Sequence, residues 1–229
     1  METQATLQRV ITKHSKFLAK KGFKITSTQF LGSGYFGGAY DIGNDIVMKI
    51  TTDQTEATAS KRLIGKKLDT VNEIYGVFRV PEKSMFKHYV ILQAKLENMS
   101  AADGRVVDEA ERILRVTYNA DQRVVGSRKS FYDGLAAETD AEFKDRIDDM
   151  IHKVPDNEQH DYYTYWQFIY TSLMELRSHN VEYCDFHKGN LMKSSGGKLK
   201  VIDLGFSQSP NADIDVLESI RRQIQRILK

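Results

Sequence analysis

Apolar positions change their spacing several times along this chain, and each change marks a predicted element. Residues 5–21 carry Leu7, Val10, Ile11, Phe17 and Leu18 at roughly helical intervals, with Gly22 placed to end the helix. From Phe23 to Ile50 the texture becomes short β-like runs, "FKITSTQFLGSG", "GGAYDIG" and "DIVMKI", punctuated by glycines and Asn44-Asp45. That pattern predicts a meander of antiparallel strands. Asp53 is a plausible N-cap for a helix over 54–68, and two more strands follow in "EIYGVFRV" and "HYVILQAKL". Residues 97–161 are polar and charged, with helical windows around 107–116 and 138–153 and no repeat. Residues 162–179 read as a buried aromatic-rich helix. The stretch 181–208 reads as loop, strand, turn and strand, and 213–229 places Val216, Leu217, Ile220, Ile224, Ile227 and Leu228 on one helical stripe. The expectation is an α+β fold, strand-rich first and helical second, with a polar hairpin where the two parts meet.

Composition narrows the setting. A chain of 229 residues suffices for one large domain or two small lobes sharing a cleft. Its 41% hydrophobic and 28% charged residues are ordinary for a soluble globular protein, and a net charge of +2 does not point to nucleic acid. Basic residues crowd the first twenty-five positions and acids crowd 103–161, both read as solvated faces. Cys184 is the only cysteine, which excludes an internal disulfide and fits a reducing compartment. No apolar run reaches the ~18 residues of a membrane span, and the N-terminus lacks the apolar core of a signal peptide. The expectation is a cytoplasmic protein with no membrane or nucleic-acid partner. Without an H-x-x-x-H pair or a C-x-x-C, zinc is not expected. Tyr162, Tyr163, Tyr165, Trp166 and Phe168 are read as core on their helical spacing rather than as a base-stacking surface.

The candidate chemistry is spread along the chain. Gly32-Ser33-Gly34-Tyr35-Phe36-Gly37 is a G-x-G-x-x-G run with β-like sequence on both sides. A hairpin is implied rather than a strand-to-helix turn, and its amides could lie over phosphates. Lys49, in Val47-Met48-Lys49-Ile50, is a cation within an apolar strand. Two readings fit it: an outward-facing side chain, or a contact to nucleotide phosphates held by a carboxylate. Glu56, the only acid within 54–68, is the partner by elimination. Asp185-Phe186-His187-Lys188-Gly189-Asn190 places a carboxylate five residues before an amide, and Asp203-Leu204-Gly205 follows a Ser-Ser-Gly-Gly turn. Asp185, Asn190 and Asp203 are the hard oxygen donors and the acceptor-positioning carboxylate that phosphoryl transfer needs. A hydrogen-bonded turn cluster is the other reading of these three. His187 fits either a phosphate contact or a bond to its own loop.

Taken in order, the glycine-rich hairpin, strand lysine, D-x-x-x-x-N and D-L-G resemble the protein-kinase-like superfamily from about Gly32 to Gly205. The chain is similar to compact bacteriophage or bacterial serine/threonine kinases. Its Asp-Phe-His-Lys-Gly-Asn loop also resembles that of aminoglycoside and choline phosphotransferases. The resemblance implies a bilobal fold, a β-rich N-lobe over 1–96 and a reduced helical C-lobe over 97–229. It implies ATP and Mg2+ as cofactors, with Asp185 as catalytic base and Lys49, paired with Glu56, on the α/β-phosphates. The Gly32–Gly37 loop would cover the nucleotide, and Asn190 and Asp203 would hold the metal. Adenine would lie against Leu92-Gln93-Ala94-Lys95-Leu96, hydrogen-bonded by the backbone of Gln93 and Lys95. Tyr183-Cys184 departs from the usual His-Arg or His-Gly, and no Ala-Pro-Glu segment follows Gly205. Activity without activation-segment phosphorylation is expected, with Ser207 and Ser209 not acting as switches. A protein acceptor in the cytoplasm (the host's, if phage-encoded) is the leading expectation. The alternatives are a small-molecule kinase and a nucleotide-binding interaction protein.

Overall fold

The structure, a computed structural model, describes residues 12, 15, 18–34, 36–80, 87–122 and 128–205. Tyr35, most of the expected N-terminal helix, Ser207, Ser209 and the stripe over 213–229 lie outside the described residues. The fold is mixed α+β. Strands β1 (Gln29–Ser33), β2 (Gly37–Asp41), β3 (Ile46–Thr51), β4 (Ile74–Arg79) and β5 (Tyr89–Ala94) form one antiparallel sheet in the order β1-β2-β3-β5-β4. Helix α1 (Gln54–Arg62) joins β3 to β4. Helices α2 (Ala101–Gln122), α3 (Arg128–Leu135), α4 (Asp140–Ile151) and α5 (Gln159–Ser178) follow, and then a hairpin of β6 (Leu191–Lys193) and β7 (Leu199–Val201). Among the described residues, no helix is long and apolar enough to cross a membrane.

The two-residue period of a strand gives the sheet two different faces. Val90 and Leu92 of β5 join Met48, Ile50, Tyr40 and Leu18 in one cluster, while Tyr89 and Ile91 join the larger core with α1 and the later helices. Lys49 pairs with Ile91 across β3 and β5, so its side chain emerges on the face of that larger core. The expected helix over 54–68 stops at Arg62, because Ile64 pairs with Ile74 and Gly65 donates to the Ile74 carbonyl at 3.0 Å. Tertiary pairing overrides helix propensity there.

The helical windows at 107–116 and 138–153 become α2 and α4, with α2 six residues longer at each end. A capping box fixes the start of α4: Glu142 N–H donates to Thr139 Oγ1 at 3.3 Å while the Glu142 carboxylate accepts from Thr139 N–H at 2.8 Å. The aromatic helix is α5, with Tyr162, Tyr165, Trp166 and Phe168 buried and Tyr163 exposed. Trp166 Nε1 donates to the Ala110 carbonyl at 2.8 Å, tying α5 to α2. Two backbone seams hold the β6–β7 hairpin. Asn72 N–H donates to Val201 O and Val201 N–H to Thr70 O, while Glu97 and Lys193 exchange a pair of bonds.

Candidate active site

Lys49 and Glu56 are brought together by a short connection. Asp53 N–H donates to Thr51 Oγ1 at 3.1 Å, turning the chain out of β3, and Asp53 Oδ1 then accepts from the N–H groups of Thr55 and Glu56. Seven residues after the lysine, the first turn of α1 therefore points Glu56 back at β3. Lys49 Nζ lies 2.5 Å from Glu56 Oε1 and 2.7 Å from Asp203 Oδ2. The side chains are 4% exposed for Glu56 and 37% for Asp203, so one carboxylate is internal and the other opens to solvent.

One cation serves two carboxylates, and the titrations reflect it. Burial pushes Glu56 up to about 7, with Lys49 opposing and Asp203 adding to the rise. Burial pulls Lys49 down, but the two carboxylates outweigh it and hold the ammonium above its ordinary value. Asp203 ends below the usual carboxylate range because Lys49 outweighs its burial.

A stability prediction follows with a defined sign. Glu56 titrates in the folded protein near 7 against an ordinary 4.5, so its contribution is complete below 4.5 and is lost as pH rises through 7. The raised Lys49 and lowered Asp203 act outside that window, above the ordinary 10.5 and below the ordinary 3.8. Thermal stability of the wild type is expected to fall between about pH 4.5 and pH 7, and Glu56→Gln to flatten that fall. An unchanged slope in the variant would remove Glu56 as its source.

Asp185 and Asn190 are positioned by the helical core. Phe186 is fully buried, with its ring 5.1 Å from Tyr132 and 4.8 Å from Tyr183. Seating Phe186 in the core is worth about 1.5–3 kcal/mol and turns the neighbouring Asp185 away from it. Asn190 Nδ2 donates to Asp185 Oδ2 and to the Asp185 carbonyl, both at 3.0 Å. Ile202 N–H donates to the Asn190 carbonyl at 3.0 Å, which sets the residue before Asp203 against the loop. On the far side, Lys188 Nζ reaches Asp108 Oδ2 of α2 at 2.6 Å, and Lys193 Nζ reaches Asp103 Oδ2 at 2.8 Å.

The glycine-rich segment is a hairpin between β1 and β2, closed by Gly34 N–H donating to Gly37 O at 3.0 Å. A Cβ on Gly37 would sit 1.8 Å from the Ile50 carbonyl oxygen, so β2 can run this close to β3 only with glycine there. The Phe36 carbonyl accepts from Thr52 N–H at 2.9 Å, linking the hairpin to the segment that carries Lys49 into α1. Gly32 lies within β1 and Ser33 is exposed at its end.

The two residues expected at the base lie at and just past the end of β5. Gln93 lies inside β5, opposite Val47 of β3 and Ile74 of β4. Lys95 N–H donates to the Asp45 carbonyl at 2.8 Å, and its ammonium reaches Asp41 Oδ2 at 2.7 Å. The donor expected from Lys95 for adenine is therefore already engaged, because β5 stays paired to the end of the sheet.

Two residues missed in the sequence belong to the site. Tyr183 is 3% exposed and its hydroxyl donates to the Asp185 carbonyl at 3.0 Å. Burial first, then the charges of Asp185 and Asp203, push that hydroxyl well above its ordinary value. Asp53 is the second: its Oδ2 would lie 3.4 Å from a Cβ on Gly205. No sequence signal beyond the N-cap marked Asp53, and Tyr183 was legible only as a departure from the usual histidine.

Among the described residues, no group of three His, Cys, Asp or Glu side chains is placed to hold a metal ion. The donor set of Asp203 and the Asn190 amide is two hard oxygens, which suits magnesium when phosphate and water complete the shell. Hollows of about 420 Å3, lined by Arg112, Val116, Lys153 and Tyr162 among others, and about 400 Å3, beside Ile46 and Tyr75, lie elsewhere on the molecule.

Lys49→Met is expected to weaken use of nucleotide and Glu56→Gln to do so less. The double variant should lose less than the two single losses added together, by ~0.5–3 kcal/mol, because both act through one ion pair. Steady-state KM and kcat for the four proteins test this, and strict additivity would separate Glu56 from the function of Lys49.

Compared with known protein families and with curated proteins, the chain matches none, so the functional reading rests on this geometry.

Proposed function

We propose that this chain is an ATP- and magnesium-dependent phosphotransferase, two-lobed and akin to the protein-kinase-like superfamily. The observation that carries the reading is the Lys49 ammonium between Glu56 and Asp203, residues 147 positions apart in sequence, beside a loop that presents Asp185 and Asn190. A partly buried lysine held by one internal and one half-open carboxylate is suited to receive phosphates, since incoming negative charge relieves the need for the second carboxylate.

In this reading Lys49 binds the α/β-phosphates under the Gly32–Gly37 hairpin. Asp185 orients the acceptor hydroxyl. The oxygen of that hydroxyl forms a bond to the γ-phosphorus as the bond from that phosphorus to the β–γ bridging oxygen breaks. The hydroxyl proton passes to Asp185, and ADP leaves with the bonding pair. Asn190 and Asp203 would hold magnesium, which when bound offsets the negative charge of the phosphates.

A protein serine or threonine is the first acceptor to test. A small-molecule alcohol is the second, favoured by α2 lying against the loop, where Gly104 packs beside the Lys188 side chain. Labelled ATP offered to a cell lysate and, separately, to a panel of small alcohols separates them. Label in protein bands supports the first, labelled soluble product supports the second, and neither, with folded protein and magnesium present, rejects the reading.

A further inference from the structure

His187 is a polar side chain of the loop that the transfer chemistry does not use. Its Nδ1 accepts from Gly189 N–H at 3.0 Å, capping the short 3-10 turn over Lys188–Asn190. The donor at Nδ1 settles the tautomer: the lone pair is on Nδ1, and the proton of the neutral ring is on Nε2. That Nε2 lies 3.5 Å from Asp185 Oδ2, the same oxygen that accepts from Asn190. The ring is half-exposed and lies against the Gly189 backbone. A Cβ on Gly189 would come within 2.8 Å of Cε1 and 3.0 Å of Nδ1, so any larger residue would push the imidazole off its place.

We propose that His187 is a positioning residue: a tautomer-locked imidazole that points Nε2–H at Asp185 Oδ2 and, with Asn190, fixes the carboxylate's orientation toward the acceptor hydroxyl. This rests on the phosphotransferase reading. At 3.5 Å the contact is long for a hydrogen bond in the free protein, and such contacts tighten when substrate is bound. The turn cap and the contact to Asp185 use opposite nitrogens of one ring, so substitution can separate them.

Glutamine reproduces a donor near the Nε2 position but not the Nδ1 acceptor. Asparagine reproduces the acceptor for Gly189 N–H but does not reach Asp185. With folding checked by circular dichroism, His187→Asn is expected to lower kcat about 10-fold or more with little change in KM for ATP, and His187→Gln to stay within about threefold of wild type. The reverse order, with Asn active and Gln impaired, would leave His187 only a turn cap and overturn the proposal.

Long-range 1H–15N spectra of histidine-labelled protein provide a readout that needs no activity. They should show the Nε2–H tautomer of His187, with its Nε2 resonance shifted in Asp185→Asn. The Nδ1–H tautomer, or a ring indifferent to Asp185→Asn, overturns the positioning role. If no acceptor is ever phosphorylated, the functional reading fails while these spectra still decide whether His187 addresses Asp185.

Discussion

Asp203→Asn is expected to abolish magnesium-dependent turnover, a loss of about 1000-fold or more if the metal supplies several kcal/mol of charge stabilisation. The substitution keeps the shape of the side chain and an acceptor for Gly205 N–H, which Asp203 Oδ1 now receives at 2.8 Å. What it removes is the charge. Because Lys49 is shared between two carboxylates, removing one leaves a matched Lys49–Glu56 pair at 2.5 Å and takes away a group that raises Glu56. The folded protein should therefore be as stable near neutral pH as the wild type, or more so, while catalysis fails. Thermal melts and ATP binding without metal, measured beside turnover, distinguish this from simple unfolding. Full magnesium-dependent turnover in the folded variant would sink the metal assignment.

Asp185→Asn is expected to lower kcat by ~100-fold or more with nucleotide affinity nearly unchanged, as loss of a general base requires. An amide at this position can still accept from Asn190 Nδ2 through its oxygen, so the loop bond at 3.0 Å need not be lost. Lys49, which carries the phosphates in this reading, pairs with Glu56 and Asp203 and is untouched. If ATP affinity collapses while the protein stays folded, Asp185 is a ligand-binding group and its assigned role is wrong.

Much of the sheet was legible because strands announce themselves locally. The short apolar runs in "DIVMKI" and "HYVILQAKL", with glycines and Asn44-Asp45 between runs, need only neighbouring residues to be read. The helices of 97–161 were legible only in part. Helix α2 buries a narrow stripe of Val107, Ala110 and Leu114 along a 22-residue element, so its polar ends give no periodic signal. Helix α3 is eight residues long and contains Gly134, yet Phe131, Tyr132 and Leu135 are buried in the core. Its reason for being a helix lies in what it packs against rather than in its own composition.

The chemistry divides along the same line. Residue types, order and spacing marked Lys49, Glu56, Asp185, Asn190 and Asp203 as a set, because a turn, a strand and a five-residue loop spacing are local constraints. Which carboxylate meets Lys49, and that both do, is a matter of how β3, α1 and the β6–β7 hairpin pack, and no local pattern carries that information. The engagement of Lys95 with Asp45 and Asp41 has the same origin, as does the influence of the Asp203 charge on Tyr183. Side-chain identity is written in the chain, whereas distance between charges is set by long-range packing. The titration of Glu56 near 7 is a consequence of burial and of two neighbours that only the folded protein supplies.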